Sequence, residues 1–155
     1  MLFRSWLPDG SGIVFTLNGA CRTPDLYHAD AATGEVERLT TSDTKGLSVQ
    51  DFVEPELIRY PTFDGRQIPA FFFRPKTPRP ASGYPTVMVV HGGPESQYLP
   101  NFRTEVQFLI ARGYAVLATN VRGSSGYGRS YLALDDVRKR PDSVADLAHA
   151  NAWLR

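Results

Sequence analysis

The chain has 155 residues, of which 42% are hydrophobic and 21% charged, and this composition excludes an intrinsically disordered protein. Its length predicts one domain, or at most two small ones. Lysine and arginine number 17 and aspartate and glutamate 16, so the net charge of +1 argues against nucleic-acid binding through bulk charge. The single cysteine, Cys21, excludes an internal disulfide framework and a metal site made of several thiolates.

The sequence predicts neither a secretory signal nor a membrane-spanning segment. Its N-terminal residues have no sustained apolar region of the kind found in a secretory signal. The strongest apolar run, residues 87–90, is far too short to cross a bilayer. We therefore expect a cytoplasmic protein with no membrane partner.

The N-terminal third of the chain has the pattern of short strands and turns. The predicted strands, which form an antiparallel meander, are residues 12–17, 25–30 and 36–40. Turn residues occur at Pro8-Asp9-Gly10 and at residues 31–34. A lone meander cannot bury both of its faces and needs neighbouring structure. Residues 41–57 predict a connector, with a domain boundary near residue 50.

A different pattern begins at residue 58. The predicted strands are residues 58–63, 67–73, 86–90 and 114–119, and the predicted helices are residues 101–112 and 144–155. Asp64-Gly65 predicts a hairpin turn, Gly113 the end of the first helix, and Asp142 or Ser143 the cap of the second. The apolar strands 86–90 and 114–119 are typical of strands buried on both faces. This order of elements opens an α/β domain.

The motif His91-Gly92-Gly93-Pro94 stands between a predicted strand and a predicted helix. The two glycines allow the backbone to approach a ligand, and Pro94 biases Gly93 away from the helical region. Such a loop can aim an N–H group at a developing negative charge, although a plain glycine turn is the alternative interpretation. His91 is predicted to shape the loop, since the histidine of hydrolase triads comes last in the chain. His28 and His149 are predicted to be structural or surface residues.

A second glycine-rich segment, residues 122–129, follows the strand at residues 114–119. It is not a phosphate loop, since Tyr131 stands where the last glycine of G-x-G-x-x-G is needed. It is not a nucleophile elbow around Ser125 either, since Tyr127 stands where G-x-S-x-G requires glycine. The segment predicts a tight, folded loop.

Together these motifs resemble the prolyl oligopeptidase family of serine peptidases, which includes dipeptidyl peptidases and acylaminoacyl peptidases. The resembling segments are residues 60–65, 68–70, 91–94, 120–128 and 146–155, and residues 8–40 resemble one β-propeller blade. The resemblance implies an α/β fold: residues 1–50 would be a partial propeller blade and connector. Residues 51–155 would be the N-terminal part of an α/β-hydrolase sheet. The resemblance also implies hydrolysis of oligopeptides by acyl transfer, with a peptide substrate and without a cofactor or metal.

By the same resemblance, the backbone of Gly93, with Gly92, would form part of an oxyanion hole. His91 stands where some relatives carry a tyrosine whose hydroxyl serves that hole. The active-site loop would include Arg122, Gly123 and Tyr127.

The chain departs from the family in one respect: it contains no G-x-S-x-G. The family's nucleophile, acid and base would all lie downstream, so we expect an internal fragment that is inactive by itself. Without the neighbouring nucleophile strand, residues 86–90 would present an open apolar edge. The alternatives are an α/β-hydrolase esterase and a non-catalytic truncated product.

Overall fold

The computed structural model describes residues 4–93 and 95–155, so Pro94 lies outside the described residues. The chain divides into two compact units. The first unit comprises residues 1–52 with residues 101–108, and the second comprises residues 53–100 with residues 109–155. The proposed division into domains at residue 50 stays a prediction.

The first unit contains a four-stranded antiparallel sheet in the order β1-β2-β3-β4. Its strands are β1 (Arg4–Trp6), β2 (Gly12–Gly19), β3 (Arg22–Asp30) and β4 (Val36–Arg38). Three of them correspond to predicted strands, and β1 is additional. The turn between β3 and β4 forms because the Asp30 carboxylate accepts hydrogen bonds from the backbone N–H groups of Ala32 and Thr33.

A buried carboxylate ties this sheet to the chain that follows it. Asp25 on β3 is 2% exposed and accepts hydrogen bonds from Thr23 Oγ1, Thr40 Oγ1 and both the backbone N–H and Oγ of Ser42. Arg38 on β4 adds a charged hydrogen bond. Burial by itself would raise the pKa of Asp25, but these hydrogen bonds outweigh burial and lower the pKa.

The first helix, α1 (Thr104–Ala111), begins three residues later than predicted. The predicted start at Asn101 is wrong because Phe102 is held outside the helix. Its N–H donates to Asn18 Oδ1 at 2.9 Å, and its ring packs against Phe52 at 5.0 Å between centroids. The helix ends at Ala111, one residue before the predicted end, and Gly113 follows with a φ of +86°, in agreement with its predicted role as the stop.

The second unit contains a mixed four-stranded sheet in the order β5-β6-β8-β7. Its strands are β5 (Glu56–Pro61), β6 (Gln67–Phe73), β7 (Thr86–Val90) and β8 (Ala115–Thr119). The predicted hairpin is β5 and β6, although β5 starts and ends two residues earlier than predicted. β8 pairs antiparallel with β6 and parallel with β7.

The two parallel strands differ in burial. All five residues of β8 are buried, as predicted, because β8 lies between two strands. The prediction that β7 is buried on both faces is wrong, since its residues are half-buried or exposed and Val90 is 46% exposed. The physical reason is the position of β7, which is an edge strand in the described sheet. The open apolar edge expected from the sequence is therefore present.

The other helices of the second unit are α2 (Arg129–Leu132) and α3 (Arg140–Trp153), with short 3₁₀ turns between them. The predicted start of α3 at Val144 is wrong because Pro141 lies within its first turn, where no N–H is needed. The predicted cap at Asp142 or Ser143 is wrong, since both residues lie inside α3 and Lys139 is at the cap position. The Ser143 Oγ donates to the Arg140 carbonyl at 2.8 Å.

The core of the second unit lies between α3 and the sheet. Ala150 of α3 packs with Tyr60, Ile68, Ala70 and Leu117, all of them fully buried. At the end of α3, the Trp153 ring meets the Phe72 ring edge-on at 5.8 Å. None of the helices in the described part of the chain combines the length and the apolar character that crossing a bilayer requires.

The open edge of β7 predicts self-association. Because unpaired N–H and C=O groups flank exposed apolar side chains, we expect the chain to form oligomers or aggregates at micromolar concentration. Val90→Lys should reduce the sedimentation-average mass, since an edge lysine opposes strand pairing. Leu99→Lys is the matched control, because Leu99 has the same 46% exposure but lies in a loop. A monomer with a sharp, reversible unfolding transition would contradict this prediction.

Candidate functional site

The candidate site lies where β7 and β8 end. Because these strands are parallel neighbours, their carboxyl ends meet at the same edge of the sheet. His91, Gly92 and Gly93 follow β7, and the glycine-rich loop of residues 120–128 follows β8. The structure therefore brings together the two motifs that the sequence singled out.

The turn after β7 is open to ligands. Gly93 has a φ of +66°, a conformation that favours glycine. Apart from each glycine's own chain neighbours, no atom of the described residues lies within 4 Å of the position that a Cβ would take at Gly92 or Gly93. The backbone at this point can therefore approach a bound molecule without displacing protein atoms.

His91 connects the two loops through Ser124. Its Nε2 lies 2.8 Å from Ser124 Oγ, and that hydroxyl donates its hydrogen to the Val121 carbonyl at 2.6 Å. The histidine must therefore donate to Ser124. In a nucleophile and general-base pair the hydrogen bond runs the other way, from the serine hydroxyl to the histidine nitrogen. Ser124 is also fully buried. This Ser–His pair is a structural link between the loops.

The loop after β8 is folded around Asn120. The buried Asn120 side chain accepts from the Tyr98 N–H at 2.7 Å and donates to the Tyr98 carbonyl at 3.1 Å. It also donates to Tyr127 Oη at 2.8 Å, and Tyr131 Oη donates to the Asn120 carbonyl. Burial is the main reason that the pKa of Tyr131 is raised. These contacts explain the tight loop predicted from the sequence.

Two glycines in this loop are required by the side chains packed on them. Gly123 has a φ of +89°, and the Asp135 carboxylate occupies the place that a Cβ would take. Gly126 has a φ of +85°, and the Gln97 amide lies where its Cβ would be. A larger residue at either position would be strained by the positive φ and would also displace the Asp135 or Gln97 side chain.

Arg122 and Asp146 form a buried ion pair that anchors the same loop. Arg122 is 3% exposed, and its Nε and Nη2 donate to the two oxygens of Asp146 at 2.9 and 2.8 Å. The Arg122 backbone N–H also donates to Asp146, which accepts a further hydrogen bond from Thr62 Oγ1. Asp146 is fully buried, so this bidentate pair is well shielded from water.

The remaining face of Arg122 contacts the hairpin turn. Its Nη1 and Nη2 donate to Asp64 at 3.1 and 3.2 Å, and its guanidinium carbon lies 4.5 Å from the centre of the Phe63 ring. The pKa of Arg122 is raised mainly because it donates to Asp146. Burial by itself would raise the pKa of Asp64, but the hydrogen bonds from Arg122 outweigh it and lower that pKa. Arg122 is therefore engaged with protein carboxylates, and its assignment to an active-site loop stays a prediction, as do those of Gly123 and Tyr127.

A cavity of about 250 Å³ adjoins the turn after β7. Its lining residues are Val90, His91, Gly93, Val121, Arg122, Asp135, Arg140, Ser143, Val144 and Leu147. Sequence reasoning missed Asp135, because nothing in its spacing distinguishes it from its neighbour Asp136. Among the described residues, no group of three or more histidine, cysteine or acidic side chains is placed to hold a metal ion.

Comparisons with known proteins agree on one family. Residues 100–155 match the profile described as "Prolyl oligopeptidase family". The chain is 32% identical over 125 residues to the uncharacterized peptidase YuxL of Bacillus subtilis (strain 168), a match covering 81% of this chain and 19% of that protein. It is 37% identical over 87 residues to dipeptidyl-peptidase 4 of Giardia intestinalis, covering 54% of this chain and 11% of that protein.

A similar architecture occurs among solved structures. The crystal structure of a puromycin hydrolase aligns with a TM-score of 0.78 and 27% identity, covering 94% of this chain and 22% of that one. The chain therefore spans about a fifth or less of the length of these relatives.

The ion pair of Arg122 predicts a large stability effect. Asp146→Asn removes the fully buried charge from the pair and leaves Arg122 only the partly exposed carboxylate of Asp64, so the free energy of unfolding should fall by about 3 kcal/mol. Urea denaturation followed by circular dichroism measures this change. The control is Arg66→Gln, because the Arg66–Asp64 pair is 48% and 31% exposed and should contribute less than about 1 kcal/mol. Equal effects of the two substitutions would contradict the anchoring role.

Proposed function

We propose that this chain, which belongs to the prolyl oligopeptidase family, is part of a serine peptidase that hydrolyses oligopeptides by acyl transfer. The observation that carries the proposal is the open glycine turn at Gly92 and Gly93, placed at the end of an apolar parallel strand. A turn at this place in α/β-hydrolases supplies one oxyanion-hole donor.

The chemistry assigned to the turn is stabilisation of a tetrahedral intermediate. A serine oxygen attacks the peptide carbonyl carbon, and the electron pair of the C=O bond moves onto the oxygen. The N–H of Gly93 donates to that oxyanion, with the Gly92 backbone shaping the turn. A base takes the serine proton during the attack and returns it to the leaving nitrogen as the C–N bond breaks. Water then hydrolyses the acyl-enzyme, which releases the acid and regenerates the serine. One such donor contributes roughly 10²–10³ in rate.

His91 is assigned a positioning role in this proposal. The His91 ring is anchored on Ser124 by Nε2, which donates to the hydroxyl at 2.8 Å. Because His91 directly precedes Gly92 and Gly93, this hydrogen bond holds the start of the glycine turn against the loop after β8.

The proposal includes the larger architecture. The mixed sheet would be the start of an α/β-hydrolase sheet within residues 51–155, and residues 1–50 would be a propeller blade and connector. The strand carrying the nucleophile would pair with the open edge of β7. The nucleophile, acid and base would lie outside these 155 residues, and the cytoplasm is the proposed location. The alignment with a puromycin hydrolase over 94% of this chain supports this placement.

The 155-residue chain alone should not react as a serine hydrolase. None of its serines lies in a G-x-S-x-G motif, and the Ser124 hydroxyl donates to the Val121 carbonyl. We expect no adduct with a fluorophosphonate probe by intact mass spectrometry, and no hydrolysis of an aminoacyl-coumarin amide. Reading the coding sequence past codon 155 should find a strand followed by G-x-S-x-G. A labelled serine in this chain, or a stop codon directly after Arg155, would overturn the proposal.

The positioning role of His91 predicts a selective kinetic effect. In the active peptidase containing this chain, His91→Ala should lower kcat by about tenfold or more while KM changes little, since the turn loses orientation rather than substrate contacts. His91→Gln should restore part of kcat, because its amide can donate to Ser124. His149→Ala is the control, since that ring contacts Phe63. A change confined to KM would contradict the assignment.

A further inference from the structure

The glycine turn after β7 is held at both of its ends by one loop. At its start, His91 Nε2 donates to Ser124 Oγ at 2.8 Å. Beyond the turn, the carbonyl of Ser96 accepts from the backbone N–H of Ser125 at 2.8 Å. The two glycines lie between these contacts and are both exposed. Because both contacts are made to the loop after β8, the orientation of the turn depends on how firmly that loop holds each end.

The chain beyond the turn is held again at Tyr98. The Asn120 side chain accepts from the Tyr98 N–H at 2.7 Å and donates to the Tyr98 carbonyl at 3.1 Å. The Tyr98 ring packs against the rings of Phe71 and Phe73, at 6.0 and 6.4 Å between centroids. Tyr98 and Asn120 are almost completely buried, so water does not compete for these two hydrogen bonds.

Asn120 is a rigid support because its own polar groups are bound by the protein. Its backbone N–H donates to the Pro69 carbonyl of β6 at 2.9 Å, and its backbone carbonyl accepts from Tyr131 Oη at 2.8 Å. The second hydrogen of its side-chain amide goes to Tyr127 Oη at 2.8 Å. The position therefore requires one acceptor and two donor hydrogens on a short side chain, which asparagine supplies and aspartate does not.

We propose that Asn120 is a positioning residue for the oxyanion turn, because it fixes the backbone of Tyr98 and thereby the direction of the Gly93 N–H. Asn120 is fully buried, so it acts through the chain rather than by contact with the substrate. Misplacing a catalytic group by about 1 Å can cost roughly a hundredfold in rate. The inference rests on the proposed function, since it takes the Gly93 N–H as an oxyanion donor.

The test uses the active peptidase that contains this chain, in which Asn120→Asp keeps the size of the side chain. Aspartate still accepts from the Tyr98 N–H, but it cannot donate to the Tyr98 carbonyl or to Tyr127. We expect kcat to fall by about tenfold to a hundredfold while KM changes by less than about twofold. Asn151→Asp is the matched control, because it adds the same charge at an exposed position of α3. It should leave both constants unchanged.

Two inhibitors distinguish positioning from a general loss of structure. With a peptidyl aldehyde of the substrate sequence, the serine oxygen bonds to the aldehyde carbon, the C=O electron pair moves onto the oxygen and the base takes the serine proton. The resulting oxyanion needs the turn, so the inhibition constant should weaken by the same factor as kcat/KM. An analogue with CH₂–NH in place of the peptide C(=O)–NH forms no oxyanion, so its dissociation constant should stay unchanged.

A second variant loosens the same segment without a buried substitution. The Gln97 side chain is half-buried and lies over Gly126. Gln97→Ala removes this contact and leaves Asn120 intact, so kcat should fall a few-fold while KM and the binding of the CH₂–NH analogue are unchanged.

An unchanged kcat in Gln97→Ala or in a folded Asn120→Asp enzyme would overturn the inference. A change confined to KM, or equal weakening of the two inhibitors, would overturn it as well. Each of these results leaves the peptidase proposal standing, because the wild-type enzyme still hydrolyses its substrate. A wild-type protein without serine peptidase activity would instead overturn the proposed function, and this inference with it.

Discussion

The arrangement of the candidate site depends on the buried pair of Arg122 and Asp146. These residues come from the loop after β8 and from α3, and they meet Thr62 and Asp64 of the hairpin turn. Burying two charges is unfavourable unless they are closely paired and hydrogen-bonded, and here a bidentate pair is supplemented by a bond from Thr62 and by two bonds to Asp64. Ser124 lies two residues beyond Arg122 and receives the His91 hydrogen bond. The Arg122–Asp146 pair thus holds together the β5–β6 hairpin, the loop after β8 and α3. Ser124 and His91 extend this connection to the turn that carries Gly93.

The second constraint is the asymmetry of the sheet. β8 lies between two strands and is completely buried, whereas β7 is bonded on one side only in the described sheet. The open glycine turn at Gly92 and Gly93 follows the end of β7, and Gly93 lines the cavity there. The proposed oxyanion donor therefore lies at the edge of the described sheet where β7 has a strand on one side only. Binding and catalytic groups are commonly carried by open loops that a rigid scaffold positions. Here the buried strand β8 with its hydrogen-bonded loop is the rigid part, and the turn after β7 is the open loop.

Local patterns were sufficient for much of this fold. The bounds of β6 and β7 and the helix end at Gly113 follow from apolar runs and glycine, which act over a few residues. The helix starts were missed because their causes lie elsewhere: Phe102 is held by Asn18, and Pro141 is tolerated inside a first turn. The partners of Arg122 lie 24 and 58 residues away in sequence, and no local pattern relates them. No local pattern distinguishes Asp135 from Asp136 either, since only the folded chain shows that Asp135 is buried and Asp136 exposed.

The most direct test of this account is the structure of the active peptidase containing this chain, with a peptidyl phosphonate bound to its serine. The account predicts that the phosphonyl oxygen lies about 2.7–3.1 Å from the Gly93 backbone nitrogen. The Ser124–His91 and Arg122–Asp146 hydrogen bonds should remain intact in that complex. A phosphonyl oxygen held by other donors, with the Gly93 N–H directed away from it, would contradict the account.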